Sequence, residues 1–288
     1  MKPAPFDYQA PGALDEALEL LARHGDEAKV LAGGQSLLPM LNFRLARPAV
    51  VVDINRIPGL DYVREEAGRV AIGALARQRR VERAALPRLP LLGEALRWVG
   101  HAAIRTRGTI AGSLAHADPA AELPALLLCL DGSVIARSRA GQRELAAGRL
   151  FVAPLTTALR PDEMITEVRV PALPAGAGGC LLEVARRHGD FALVGVVAVV
   201  ELRGDRIQRA RVALFGCGGT PVRATGAEQA LGGQAPTAES MAAAARAATA
   251  SLTPDSDLHA SAEYRRRVAG TLVQRALATA AERARDRA

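Results

Sequence analysis

The chain has 288 residues, a length typical of about two domains, and its 49% hydrophobic and 23% charged residues exclude a disordered chain. No apolar run reaches the roughly 18 to 20 residues of a membrane span, and the first residues lack the apolar core of a signal peptide. The net charge of +7 is concentrated after Glu263 in a chain with only 3% aromatic residues, so we do not expect a nucleic-acid partner. A solvated helix face explains the arginines at 265–267 best, and a contact with an acidic subunit is the alternative.

Apolar residues at helical spacing from Leu14 to Leu21, followed by Gly25, predict a first helix. Residues 29–32 and 49–54 predict two buried strands, separated by a glycine turn and a helical segment. This order predicts a βαβ-like unit, which commonly binds nucleotides at its strand ends. The patterns that follow predict, in chain order, a strand at 70–73, a helix at 92–104, a basic loop at 105–108, a helix from Asp118 to Cys129, and strands at 133–136 and 164–170.

Residues 172–179 (ALPAGAGG) predict a linker, after which the pattern changes. Three antiparallel strands are predicted at 181–186, 195–203 and 206–215, the last two joined by Gly204-Asp205. Two alanine-rich helices are predicted at about 238–252 and 260–283.

The first segment that could carry chemistry is Ala32-Gly33-Gly34-Gln35-Ser36. Two glycines after a buried strand allow a tight turn whose N–H groups converge on a phosphate, and Ser36 could donate a hydroxyl or cap the next helix. On these residues alone an ordinary Gly-Gly turn is the better explanation. No Gly-Lys-Ser/Thr follows, so the segment is not a P-loop.

Two further segments are candidates for ligand contact. Residues 108–113 (GTIAGS) form a small-residue turn, and Asp118 and Glu122 are spaced to share one helix face, where a carboxylate could accept hydrogen bonds from a ribose diol. A capped helix with an acidic first turn is the alternative. Residues 186–191 (RRHGDF) could meet a planar cofactor ring, the alternative being a solvated turn with Phe191 in the core.

The sequence indicates neither a metal site nor a set of catalytic side chains. The histidines lack His-x-x-His spacing, and no Ser/His/Asp or Cys/His set can be assembled. Cys129, Cys180 and Cys217 are too widely spaced for a Cys-x-x-Cys site. We interpret them as core residues of a chain in a reducing, cytoplasmic compartment.

Four segments together resemble one family. They are AGGQSLLPMLNFRLARP (32–48) with VVDI (51–54), RTRGTIAGSLAHADPAAELPALL (105–127), RRHGDFALVGVVAVV (186–200) and GCGGTPVRA (216–224). Their content and order resemble the FAD-binding medium subunit of molybdenum hydroxylases, which include aerobic carbon monoxide dehydrogenase and the xanthine dehydrogenase group.

The resemblance implies an α+β fold and FAD as the cofactor. Residues 1–175 would form a PCMH-type FAD-binding domain of two α/β subdomains. Residues 176–288 would form a small C-terminal domain with a three-stranded antiparallel sheet and helices.

The resemblance also implies the cofactor contacts. The pyrophosphate would bind at Ala32, Gly33, Gly34, Gln35, Ser36 and Leu37, and a second phosphate-facing loop would contain Thr109, Ala111, Gly112 and Ser113. Glu122 matches an aspartate that lies near the adenosine ribose in the family, and we also place Asp118 there. Ile165 would pack on the side of the flavin, and Phe191 would lie near the isoalloxazine ring. Ala111 and Ser113 replace the family's usual glycine and asparagine.

The implied function is electron transfer. The chain would pass electrons from iron–sulfur clusters of a partner through FAD to an external acceptor, so no catalytic side chain is assigned. The partners would be a large molybdenum-cofactor subunit and a small [2Fe–2S] subunit, assembled as a dimer of heterotrimers. The alternatives are a free-standing FAD-dependent oxidoreductase of the same fold and a flavin-free scaffold.

Overall fold

The computed structural model describes residues 2–66, 68–84 and 86–287. The chain begins with a parallel three-stranded sheet in the order β1-β3-β2. Its elements are β1 (Asp7–Gln9), α1 (Leu14–His24), β2 (Ala28–Leu31), α2 (Leu37–Asn42) and β3 (Val50–Asp53). Because β2 and β3 are parallel and flank α2, the predicted βαβ-like unit is confirmed.

A five-stranded antiparallel sheet with helices follows. The elements in this part of the chain are β4 (Val63–Glu66), β5 (Arg69–Gly73), α3 (Gln78–Arg83), α4 (Pro90–Trp98), α5 (Ala102–Arg107), α6 (Ile110–His116), α7 (Glu122–Cys129), β6 (Ser133–Ser138), β7 (Gly141–Ala146), α8 (Ala147–Leu150), β8 (Phe151–Ala153), β9 (Thr156–Thr157) and β10 (Met164–Pro171). The strands β8 and β9 form a separate hairpin. The strand order is β4-β5-β10-β6-β7. The strands predicted from residues 70, 133 and 164 onward are therefore confirmed.

The single helix predicted at 92–104 is wrong, because it is divided into α4 and α5. Gly100 between them has a φ of +50°, a left-handed conformation that ends a helix. The Arg105 guanidinium holds the break by donating to the carbonyls of Val99 and Gly100 at 2.9 and 3.0 Å. The predicted basic loop at 105–108 is also wrong, because its arginines belong to α5.

The predicted helix start at Asp118 is wrong as well. The Asp118 carboxylate accepts the Ala120 N–H at 2.8 Å and its carbonyl accepts the Ala121 N–H at 3.1 Å, which closes a turn. The helix α7 then begins at Glu122. Asp118 and Glu122 consequently do not share a helix face.

The C-terminal part pairs an antiparallel sheet with helices. Its elements are β11 (Ala177–Ala185), β12 (Ala192–Arg203), β13 (Arg206–Phe215), β14 (Val222–Arg223), α9 (Thr225–Leu231), α10 (Ala238–Ala250) and α11 (Ala262–Arg285). The two predicted long helices and the β12–β13 hairpin are confirmed, and the short strand β14 makes the sheet four-stranded rather than three-stranded.

The predicted linker is shorter than 172–179, because β11 begins at Ala177. At Gly178 a Cβ atom would overlap the Ala280 carbonyl of α11, so the strand and the helix pack too closely for any other residue. The glycine-rich composition of this segment predicted a flexible linker, but Gly178 is required there for the packing of β11 against α11.

The two faces of the C-terminal sheet bury side chains in different cores. One face contributes Val197, Val199, Ala213 and Phe215 to the core shared with the N-terminal part. The other packs against α10 and α11 in a second core. The predicted α+β fold class is confirmed. None of the helices in the described ranges has both the length and the apolar composition to cross a membrane.

Candidate functional site

The first glycine segment forms a half-buried loop at the carboxyl end of β2. Gly34 has a φ of +73°, a conformation that a residue with a side chain adopts only with strain. In the described part of the chain, the backbone N–H groups from Gly33 to Ser36 donate no hydrogen bond. The Ser36 hydroxyl does not cap α2, which begins at Leu37. The loop therefore presents successive free donors, as anion-binding loops do.

The second loop leads into α6. Thr109 caps this helix, its Oγ1 accepting the Gly112 N–H at 3.0 Å. Gly112 therefore uses its amide for the cap rather than for a ligand. Ala111 is buried in the first core, so the methyl group that replaces the family's glycine is accommodated by packing. The Ser113 amide donates to the Thr109 carbonyl at 3.2 Å.

The two loops are in direct contact. A Cβ atom on Gly33 would lie 2.5 Å from the Arg107 carbonyl oxygen and 2.8 Å from the Gly108 Cα. Gly33 is thus required for the approach of the second loop, in addition to any approach of a ligand. The structure brings together segments that are more than 70 residues apart in the chain, as the resemblance implies.

The helix α5 joins the segment at 186–191 to this junction. At the start of α5, a Cβ atom on Gly189 would lie 2.5 Å from the His101 ring. At the end of α5, the Arg107 carbonyl lies against Gly33. Six residues of helix place these two contacts about 9 Å apart. Phe191 is 64% exposed, so the alternative that placed it in the core is wrong.

Two carboxyl groups, those of Glu122 and Glu183, are buried. Burial, partly offset by a backbone hydrogen bond and by the charge of Arg105, and the nearby Asp118 carboxylate together raise the pKa of Glu122 to about 7. Burial likewise raises the pKa of Glu183 on β11 to about 8, with a further contribution from Glu122. The Asp118 carboxylate is engaged in its own turn, so a ribose contact from Asp118 or Glu122 stays a prediction.

Ile165 lies on β10 next to a bulge and is 5% exposed in the first core. Its predicted contact with the flavin side also stays a prediction. The three cysteines are buried and free, and burial raises the pKa of Cys129 and Cys217 to about 12 and that of Cys180 to about 11. Within the described residues, no group of three His, Cys, Asp or Glu side chains is arranged to hold a metal ion.

Sequence reasoning missed two polar side chains at the junction of the loops, Asn55 and Arg77. Asn55 follows β3, and β3 is parallel to β2. The carboxyl ends of parallel neighbouring strands meet at one edge of a sheet. The position of Asn55 just after β3 could therefore have predicted that its side chain lies beside the loop that follows β2. Arg77 carried no such signal.

The donors at this junction fit FAD. Free amides of the first loop and the neighbouring cations Arg77 and Arg107 suit a diphosphate. The exposed ring of Phe191, at the other end of α5, suits contact with an aromatic cofactor ring.

Comparisons with known proteins agree with this description. The family description "FAD binding domain in molybdopterin dehydrogenase" matches residues 4–173, and "CO dehydrogenase flavoprotein C-terminal domain" matches residues 180–280. The chain is 46% identical over 288 residues to the 6-hydroxypseudooxynicotine dehydrogenase complex subunit alpha of Paenarthrobacter nicotinovorans, covering 99% of this chain and 97% of that one. It is 38% identical over 279 residues to the carbon monoxide dehydrogenase medium chain of Hydrogenophaga pseudoflava, covering 96% and 97%.

Solved structures match as well. Carbon monoxide dehydrogenase from Hydrogenophaga pseudoflava, in a form lacking the Mo-pyranopterin moiety, has a TM-score of 0.96 at 40% identity, covering 98% of this chain and 99% of the other. Quinoline 2-oxidoreductase from Pseudomonas putida 86 has a TM-score of 0.94 at 36% identity, covering 99% of both chains.

The fold and the family descriptions that match it define an FAD-binding flavoprotein of the oxidoreductase class. The chain belongs to the family of medium FAD subunits of carbon monoxide dehydrogenase-like molybdenum hydroxylases. This confirms the resemblance found in the sequence.

Proposed function

We propose that the chain transfers electrons within a heteromeric molybdenum hydroxylase, from iron–sulfur clusters of a small partner subunit through FAD to an external acceptor. The observation that carries the proposal is the direct contact between Gly33 and the Arg107–Gly108 backbone, beside free loop amides. This contact supports a phosphate-binding surface at the loops, in a chain whose relatives are named as dehydrogenase subunits. The chemistry that FAD supplies when bound is the acceptance of electrons from one carrier and their release to another.

The residues of this chain would bind and orient the cofactor. In the proposal, Ala32 to Leu37 hold the pyrophosphate through backbone N–H groups, and the loop at 109–113 supports it from the opposite side. Glu122 and Asp118 would contact the ribose, and Ile165 and Phe191 the flavin ring. The exposure of Phe191 would leave one ring edge accessible to an electron partner.

The proposed partners are a large subunit with the molybdenum cofactor and a small subunit with [2Fe–2S] clusters, in a dimer of heterotrimers. Relatives named "medium chain" and "complex subunit alpha" support a role as one chain among several. Residues 1–175 would bind most of the cofactor, and residues 176–288 would contribute Phe191 to the surroundings of the flavin ring.

Affinity purification of the tagged chain from its native source tests the proposal. We expect two companion proteins and an absorption spectrum with flavin and iron–sulfur bands. A yellow chain that purifies alone and oxidises a substrate by itself would instead favour the free-standing oxidoreductase. A colourless chain, which also fails to bind added FAD, would contradict the proposal.

A further inference from the structure

A continuous set of hydrogen bonds connects the two glycine loops. The Asn55 Nδ2 donates to the Ala32 carbonyl, at the start of the first loop, at 2.9 Å. The Arg77 guanidinium donates to the Asn55 Oδ1 at 2.5 Å and to the Arg107 carbonyl at 2.7 Å. Arg107 directly precedes the second loop. Two side chains thus join loop backbones that the sequence separates by 75 positions.

Asn55 is anchored outside the loops, and Arg77 is anchored on the second loop. The Asp53 carboxylate accepts hydrogen bonds from the Asn55 N–H at 2.9 Å and from its Nδ2 at 2.5 Å, which orients the amide. The Arg77 backbone forms an isolated β-bridge with Thr109. The next N–H, of Gln78, donates to the Gly108 carbonyl at 2.8 Å. Asn55, fixed at the end of β3, and Arg77, fixed on the second loop, consequently link the two loops.

The charge at the junction indicates an anionic ligand. Burial lowers the pKa of the half-buried Arg77, and the positive charge of Arg107 lowers it further. Over residues 2–66, 68–84 and 86–287, neither guanidinium forms an ion pair with a carboxylate. The Asp61 and Asp53 carboxylates offset part of the repulsion between the two cations, and an anion bound at the free loop amides would relieve more of it.

We propose that Arg77, held by Asn55, is a positioning residue that sets the distance between the two glycine loops and so the affinity for the diphosphate half of FAD. The inference rests on the proposed function, since it takes FAD as the ligand of both loops. The guanidinium is required because one planar group donates in two directions at once. A lysine at this position keeps the charge but donates from a single atom.

The experiment measures binding of FAD, ADP and riboflavin to the full-length apo chain. The variants are Arg77→Met, Arg77→Lys and Asn55→Ala. Arg83→Met is the matched control, because Arg83 is exposed at the end of α3, the helix that begins directly after Arg77. Flavin fluorescence reports the Kd of FAD and riboflavin, and competition with FAD reports that of ADP.

We expect Arg77→Met to weaken FAD and ADP binding by roughly 10- to 100-fold, Arg77→Lys by about fivefold and Asn55→Ala by about tenfold. Riboflavin binding and Arg83→Met should be unchanged. The double variant Arg77→Met/Asn55→Ala should bind no more weakly than Arg77→Met, because the two residues act as one unit. A general structural defect would weaken riboflavin and ADP binding together and would contradict the proposal.

If the wild-type chain binds FAD and the folded variants bind it equally well, Arg77 does not position the loops, while the proposed function stands. If the wild-type chain binds neither FAD nor ADP, the proposed function itself is wrong. Circular dichroism identifies the variants that fold. If Arg77→Met does not fold, the FAD and ADP affinities of Arg77→Lys, which keeps the charge and bulk of the side chain, test the proposal instead.

Discussion

Replacing Glu183 by glutamine should stabilise the chain at alkaline pH, because Glu183 is an unpaired carboxyl group in the interior. On β11 it lies opposite Gly195, in the same row as Phe215, on the face directed toward the first core. Both of its carboxylate oxygens are buried and have no hydrogen-bond partner in the described chain. Burial, with a further contribution from Glu122, raises its pKa to about 8.

The sign of the pH dependence follows from proton binding. Between pH 4.5 and about 8 the folded chain retains a proton that the unfolded chain has released. The protonated carboxyl group therefore makes its full contribution to the free energy of unfolding below pH 4.5. This contribution is lost as the pH rises through the pKa of Glu183 in the folded chain. A shift from 4.5 to about 8 corresponds to about 5 kcal/mol at 1.36 kcal/mol per pH unit. Because water can enter around the ionised group, we expect about 2 to 3 kcal/mol to be measured.

Urea unfolding of the wild type and of Glu183→Gln at a series of pH values between about 4.5 and 9 measures this effect. Glutamine is close to glutamate in shape and stays neutral, so the difference in unfolding free energy should be small at the lowest pH and should favour the variant at the highest. Glu65→Gln, on the exposed surface of β4, is the matched control and should not change the pH dependence. Equal pH dependence in the wild type and Glu183→Gln would refute the reasoning.

Three further predictions concern the loops, the flavin end and the C-terminal sheet. Gly33→Val and Gly34→Val should each abolish FAD retention, the first by contact with the Arg107 carbonyl and the second by its positive φ; normal flavin content in both would remove the pyrophosphate assignment. Phe191→Ala should leave the unfolding free energy within about 0.5 kcal/mol, since the ring is largely exposed, while changing the visible spectrum of bound flavin; an unchanged spectrum would contradict the ring contact. Arg265→Met should cost about 2 to 3 kcal/mol in urea unfolding, because this guanidinium, for which a solvated helix face was wrongly predicted, is buried and donates to the carbonyls of Leu193 and Gly216 at the ends of two strands; a cost below about 0.5 kcal/mol would contradict that role.

Features set by neighbouring residues were predicted closely. The strand predicted at 206–215 is β13 with the same bounds, and its turn to β12 lies at Gly204-Asp205 as predicted. The first glycine loop was located correctly because a buried strand, two glycines and a helix start follow one another directly. In each case the signal and the structure it determines lie within a few residues.

Features set by distant contacts were predicted poorly. Apolar spacing continues across Gly100, so it could not show that Arg105, whose Nε donates to the Glu82 carboxylate of α3 at 2.9 Å, would bind the Val99 and Gly100 carbonyls within the break. Asp118-Pro119 has the composition of a helix start, but the Gly216 N–H of the C-terminal part donates to the Pro119 carbonyl at 2.9 Å and helps to hold a turn there. Tertiary contacts overrode local preference at both places.

The sequence by itself determined the class of fold, the family and the two loops, because strand, turn and helix preferences and the order of the motifs are written in contiguous residues. The tertiary structure alone decided that Gly33 packs against the backbone at Arg107, that Asn55 and Arg77 join the loops, and that the Glu183 carboxylate oxygens are buried. These outcomes depend on which surfaces face each other after folding. Burial and hydrogen bonding between distant segments are set by the packing of the whole chain, and no local pattern contains that information.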